Sequence, residues 1–149
     1  FVGAVDAQVR HELTALATDI ELRNLIFTGA VDDGIYRMWL QSCDATAVLR
    51  NGLLLSLSGA ALDTLAFAVP TVMTETLVAD CGETDYVVPI TDFFTGLLVA
   101  EGLENALNVQ RYSEEIRENQ ANYLRERSMG RYAERLLDWL GGNQAWRSA

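Results

Sequence analysis

The sequence contains no lysine, one histidine and only two cysteines among its 149 residues. Without lysine, the P-loop that grips nucleotide phosphates is excluded, and no Gly-rich dinucleotide fingerprint is present. A serine triad would depend on the lone His11, and the serine-containing segment 55–59 lacks the first glycine of a nucleophile turn. Cys43 and Cys81 stand too far apart for a zinc or redox motif, and we expect both to be buried thiols. The sequence therefore predicts no catalytic residue, no metal ligand and no cofactor.

Positive charge is also scarce, since 11 arginines stand against 21 carboxylates and give a net charge of −10. A surface that coats nucleic acid needs clustered cations, so this function is excluded. The deficit is concentrated in residues 32–91, which carry two arginines and eight acids. Five of those acids follow one another without an intervening cation: Asp63, Glu75, Asp80, Glu83 and Asp85. We expect these five side chains to face solvent or an open lumen rather than to pair with arginines.

The other polar clusters have plainer interpretations. Residues 80–85 are rich in oxygen ligands, but the segment is shorter than a calcium-binding hand and lacks its terminal glutamate. Glu114, Glu115 and Glu118 alternate with arginines, as is typical of a solvated helix face. His11 has no second histidine or cysteine within a turn, which indicates a surface position.

Long apolar runs are absent as well. No stretch approaches the ~20 residues that cross a bilayer, and no basic-then-apolar leader opens the chain, so we expect no membrane association. The chain begins at Phe1, which leaves open whether an N-terminal stretch was removed or is absent from the numbering.

Apolar residues at spacings of three and four predict four helices, near residues 6–27, 33–50, 92–109 and 111–140. Between residues 53 and 90, four short apolar runs separated by glycine and proline, at 53–57, 65–69, 72–78 and 86–88, predict three or four antiparallel strands. The fold class expected is α+β, mainly helical, with about four helices packed on a small antiparallel β-sheet. Residues 1–140 form one domain in this prediction, with a strand-rich insert at about 53–90. The apolar helix over 92–109 is the expected centre of the core.

The C-terminal residues 141–149 are predicted to form an arm. Gly141 and Gly142 are expected to end the last helix, which leaves Trp146 without a helical face to join. Trp139, Trp146 and Arg147 are of the residue types enriched in binding hot spots, so they are candidates for contact with a partner. The alternative is that Trp146 packs on its own domain.

Residues 82–94 combine a turn, a strand, Pro89 and the start of an apolar helix, and a long helix with Tyr112, Tyr123 and Tyr132 follows. This order resembles the head-to-tail connector (adaptor) proteins of tailed bacteriophages, over roughly the C-terminal half of the chain. The resemblance implies a virion protein assembled in the host cytoplasm and placed at the head-to-tail junction.

In that family, many copies form a ring that binds the portal protein and tail proteins and conducts DNA without sequence-specific binding. The acidic residues fit a conduit, because a carboxylate-rich wall repels the phosphate backbone. The alternative from the residues alone is a small regulatory or ligand-binding α+β domain without catalytic activity.

Overall fold

The first unit of the chain, Phe1–Cys43, consists of two helices and of a segment after the first helix that runs back along the N-terminus. The computed structural model describes residues 1–50 and 58–142. Helix α1 spans Ala7–Asp19 and helix α2 spans Asp33–Ser42. Each begins where the sequence offers an aspartate, because Asp6 accepts hydrogen bonds from the backbone N–H groups of Gln8 and Val9 and Asp32 accepts one from Ile35.

The first helix is much shorter than the prediction over residues 6–27. After α1, Glu21 adopts a positive φ of 56°, and the chain runs back along its own N-terminus. The Phe1 ring stacks on Phe27 with centroids 5.2 Å apart, and Gly3 pairs with Gly29 in an antiparallel bridge. The apolar residues after Asp19 therefore serve this returning segment rather than a longer helix.

The second unit, Asp44–Ala149, is an α/β structure. Its elements in order are β1 (Thr46–Val48), α3 (Gly59–Ala66), β2 (Thr71–Thr74), α4 (Glu75–Cys81), β3 (Val87–Ile90), α5 (Gly96–Leu107), α6 (Glu114–Glu126) and α7 (Met129–Gly142). The strands form one sheet in the order β1-β2-β3, and both pairings are parallel. Parallel neighbours require a crossover, and α3 and α4 supply the two crossovers.

The predicted fold class is wrong in helix number and in strand direction. The described residues contain seven helices, and the three strands are parallel. The helix predicted over 33–50 ends at Ser42 and is followed by β1. The helix predicted over 111–140 is two helices, α6 and α7, and the apolar run at 53–57 lies outside the described residues.

The strand direction was predicted wrongly because the sheet is buried on both of its faces. All four residues of Thr71–Thr74 are buried, so the alternation that marks a half-exposed antiparallel strand carries no information here. The predicted strand at 65–69 is the end of α3 and the turn after it, while the predicted strand at 72–78 is β2 followed at once by α4.

Helices cover both faces of the sheet. On one face, Met73 and Val87 pack with α3, α4 and Ile116 of α6. On the other face, Val72 and Ile90 pack with α5 through Ala106. Gly102 permits the close approach of α5, because a Cβ there would lie 3.0 Å from a methyl group of Val72.

Three side chains from distant elements close the C-terminal end of α3. The Tyr86 hydroxyl donates to the Leu65 carbonyl at 2.8 Å, Gln120 donates to Ala66 at 2.7 Å, and Arg111 donates to the next carbonyl at 3.3 Å. Helix C-termini leave carbonyl groups without intrahelical partners, so these bonds satisfy groups that burial would otherwise make costly. They also fix α6 against α3.

The Tyr86→Phe variant is expected to lose about 1 kcal/mol in free energy of unfolding at neutral pH, because the Leu65 carbonyl loses its bond from the buried hydroxyl and keeps the bond from the Ala68 N–H at 3.2 Å. Burial raises the pKa of Tyr86 to about 12 from its usual 10. The folded state therefore holds this proton more tightly than the unfolded state, and wild-type stability falls as pH rises from 10 to 12. Without lysine, no ammonium group titrates over this range.

Urea titrations of both proteins at neutral pH and near pH 12 measure the effect. At the alkaline end, the difference in free energy of unfolding is expected to change by about 2–3 kcal/mol in favour of Tyr86→Phe, so that wild type loses its advantage and the variant becomes the more stable protein. An advantage that does not change with pH contradicts burial of the phenol.

Candidate functional site

Three of the five predicted acidic side chains lie on one short segment between α4 and β3. Asp80 is in the last turn of α4, and Glu83 and Asp85 follow in the loop; all three are exposed. Gly82 turns the chain at this point with a φ of 100°. We call residues 80–85 the acidic loop.

The acidic loop is held against α6. Asn119 of α6 donates a hydrogen bond to the Asp85 carboxylate, and the Tyr123 hydroxyl donates to the Cys81 carbonyl at 3.3 Å. Arg127 stacks over the Tyr123 ring at 5.0 Å. An open hollow of about 320 Å³ lies here, and its lining consists of Glu83, Thr84, Asp85, Asn119, Asn122, Tyr123 and Glu126.

The other two predicted acids lie elsewhere. Glu75 is exposed at the first residue of α4, at the opposite end of that helix from Asp80, and Asp63 is half-buried on α3. Ion pairs in the described ranges join Arg131 to Glu126 and Glu134, and Arg135 to Glu126, so they use none of the five acids. That the five face a lumen stays a prediction.

Gly82→Ala is expected to lower the free energy of unfolding by about 1–3 kcal/mol, because its φ of 100° and ψ of 147° belong to a region that residues with a Cβ strongly avoid. The new methyl group would also lie 2.9 Å from the Arg127 guanidinium. Gly59→Ala is the matched control, since that helical glycine has nothing within 4 Å of an added Cβ. Thermal unfolding of both variants measures the difference, and equal melting temperatures contradict a strained Gly82.

Two titratable groups near the acidic loop, Cys81 and Tyr123, have pKa values shifted by burial. Burial raises the pKa of the Cys81 thiol, which keeps it protonated near neutral pH, and burial also raises the pKa of the Tyr123 phenol. Cys81 is buried as predicted, whereas Cys43, also predicted to be buried, is half-buried. Within residues 1–50 and 58–142, no group of three or more His, Cys, Asp or Glu side chains could hold a metal ion.

Helix α7 leaves its apolar face open to solvent. Met129, Tyr132, Leu136 and Trp139 follow one another at spacings of three and four, so they share one side of the helix. Met129 is 82% exposed and Trp139 is 64% exposed, and Leu137 beside them is 67% exposed. We call these five side chains the α7 face.

Helix α5 has a similar open side, which corrects the expectation that it is the centre of the core. Only Gly102 and Ala106 are buried within it. Phe93 just before the helix is 94% exposed, Leu97 is 69% exposed, and Leu107 is also exposed. Trp139 was predicted to contact a partner, but the other residues of these two faces were not, although a helix that is apolar on more sides than one sheet can cover is a signal of a second contact.

The predicted partner-binding residues fall in two places. Trp139 belongs to α7 rather than to an arm, because α7 continues through Gly141 and Gly142, the two glycines expected to end it earlier. Trp146 and Arg147 lie outside the described residues.

None of the described helices is both long enough and apolar enough to cross a bilayer. Comparisons of the chain with models of protein families, with curated proteins and with solved structures give no match.

Proposed function

We propose that this chain is a structural subunit of a multi-copy assembly, the head-to-tail connector ring of a tailed bacteriophage, which binds the portal and tail proteins and conducts DNA. The observation that carries the proposal is the pair of apolar helix faces, on α5 and α7, that one chain leaves uncovered. The proposal makes no use of catalysis.

Hydrophobic burial gives the reason that these faces need a partner. Covering a large apolar side chain is worth about 1.5–3 kcal/mol, and contiguous exposed apolar patches on soluble proteins mark interaction sites. Five large apolar side chains remain more than half exposed: Met129, Leu137 and Trp139 of α7, Leu97 of α5, and Phe93 just before α5. Contact with other protein chains would remove this surface from water.

A connector is favoured over other assemblies by the order of elements and by charge. Strand β3 leads into the apolar helix α5, which is the order that the resemblance implies, although the single long helix expected after it is divided into α6 and α7. The acidic loop and the net charge of −10 suit a channel wall that DNA passes without being held.

A small-molecule site between the strands and α5, the main alternative, has less support. Gly102 brings α5 so close to Val72 that even a methyl group on Gly102 would crowd it. The hollow at the acidic loop is open and lies on the surface. Neither place offers the enclosed apolar cavity that small ligands prefer.

Native mass spectrometry of the full chain at rising concentration tests the proposal. A connector subunit is expected to form complexes of several copies, up to one closed size, and to bind its portal protein. A chain that stays monomeric at all concentrations, with and without the portal protein, contradicts the proposed function.

A further inference from the structure

We infer that copies of this chain join head to tail, with the α7 face of one copy seated on the exposed side of α5 of the next copy. This inference rests on the proposed function, since it names the partner of the two open faces. It commits to a second copy of the chain as the occupant of both.

The exposed side of α5 is apolar and acidic. Leu97, Glu101 and Glu104 lie at spacings of four and three on one side of the helix, and all three are exposed. Leu107 is exposed at the end of the helix. Residues 51–110 contain eight acids and no cation, so no arginine from this part of the chain offsets the two glutamates.

The α7 face is apolar and flanked by charges of both signs, with a small excess of cations. Between residues 125 and 139, four arginines, at positions 125, 127, 131 and 135, stand against three acids, Glu126, Glu134 and Asp138. Arg131 and Arg135 are exposed next to Tyr132 and Leu136. Their ion pairs to Glu126 and Glu134 lie on the surface, where such pairs are worth little, so the arginines can exchange partners at low cost.

The two faces match in length as well as in charge. Helix α5 has 12 residues and α7 has 14, which correspond to about 18 Å and 21 Å of helix axis. The exposed side of α5, an apolar stripe with Glu101 and Glu104, can therefore lie along the α7 face, an apolar stripe with Arg131 and Arg135.

A head-to-tail contact is favoured over symmetric pairing for two reasons. Pairing α5 with α5 would set Glu101 and Glu104 of two copies against each other, and like charges at an interface are costly. Pairing α7 with α7 would leave α5 exposed. One head-to-tail contact covers both faces on every copy, and repetition of such a contact closes a ring when the rotation permits.

Charge reversal on each face tests the inference by sedimentation velocity of the full chain. The first variant is Glu101→Arg with Glu104→Arg, and the second is Arg131→Glu with Arg135→Glu. Each variant alone is expected to self-associate about tenfold more weakly than wild type, because each sets like charges against each other at every contact. An equimolar mixture is expected to regain association, since both alternating contacts then pair opposite charges.

The possible outcomes separate the inference from the proposed function. If the first variant associates as wild type does, or if mixing restores nothing, the two faces do not meet and the inference is wrong, while a multi-copy wild type still supports the proposed function. A wild-type chain that remains monomeric up to about 1 mM overturns the inference. Melting temperatures near that of wild type are the control for folding, and the four changes combined in one chain should also restore association.

Discussion

Replacement of Gly102 by leucine is expected to lower the free energy of unfolding by about 3 kcal/mol or more. A Cβ at this position would lie 3.0 Å and 3.2 Å from the two methyl groups of Val72 and 3.4 Å from Ile90, before any further atom is added. Cores respond to such overpacking with shifted backbone or strained rotamers. Helix α5 would have to move off the sheet, which uncovers Val72 and Ile90 together.

Ala100→Leu is the matched control, because Ala100 lies on the same helix and is exposed. Alanine and leucine differ little in helix propensity, so this variant is expected to unfold close to wild type. Urea denaturation of the two variants measures the difference. Similar midpoints for both would contradict the packing of α5 on β2 and β3.

Reversal of charge around α4, by Glu75→Lys, Asp80→Lys and Glu83→Lys, is expected to leave assembly intact and to reduce DNA delivery by about tenfold or more. All three side chains are exposed, so the substitutions do not disturb packing. A wall that repels phosphate would become one that attracts it, and DNA would be held in the channel. The readout is the yield of infected cells per assembled particle.

The control changes the net charge equally at another place, by Glu114→Lys, Glu115→Lys and Glu118→Lys on α6. Particles with this variant are expected to deliver DNA better than particles with the α4 variant. If the α4 changes instead prevent assembly, these acids are contact residues between subunits and the idea of a repelling wall is wrong.

Local signals in the sequence predicted where several helices begin, but not that the strands of the sheet run parallel. Asp6 and Asp32 cap α1 and α2 because a short polar side chain can satisfy free amides without tertiary help. The helix predicted from residue 92 begins only at Gly96, and Thr95 caps it. Asp92 does not cap this helix, because its carboxylate accepts hydrogen bonds from the backbone N–H and the hydroxyl of Thr76. This contact between distant segments has no signature in the local sequence.

The sequence likewise predicted only part of the candidate site. A run of five acids without cations predicted exposure; Glu75, Asp80, Glu83 and Asp85 are exposed, whereas Asp63 is half-buried. Periodicity showed that the apolar residues of α5 and α7 share helix faces, but it does not say which face another element covers. That depends on the sheet, against which α5 packs Gly102 and Ala106, with Val99 and Leu103 partly buried beside them.

Immunogold electron microscopy of particles of the phage whose genome encodes this chain tests the central claim most directly. The account predicts label at the junction between head and tail, on every particle and nowhere else. Label spread over the capsid shell, label at the tail tip, or particles that lack the chain altogether would contradict a connector.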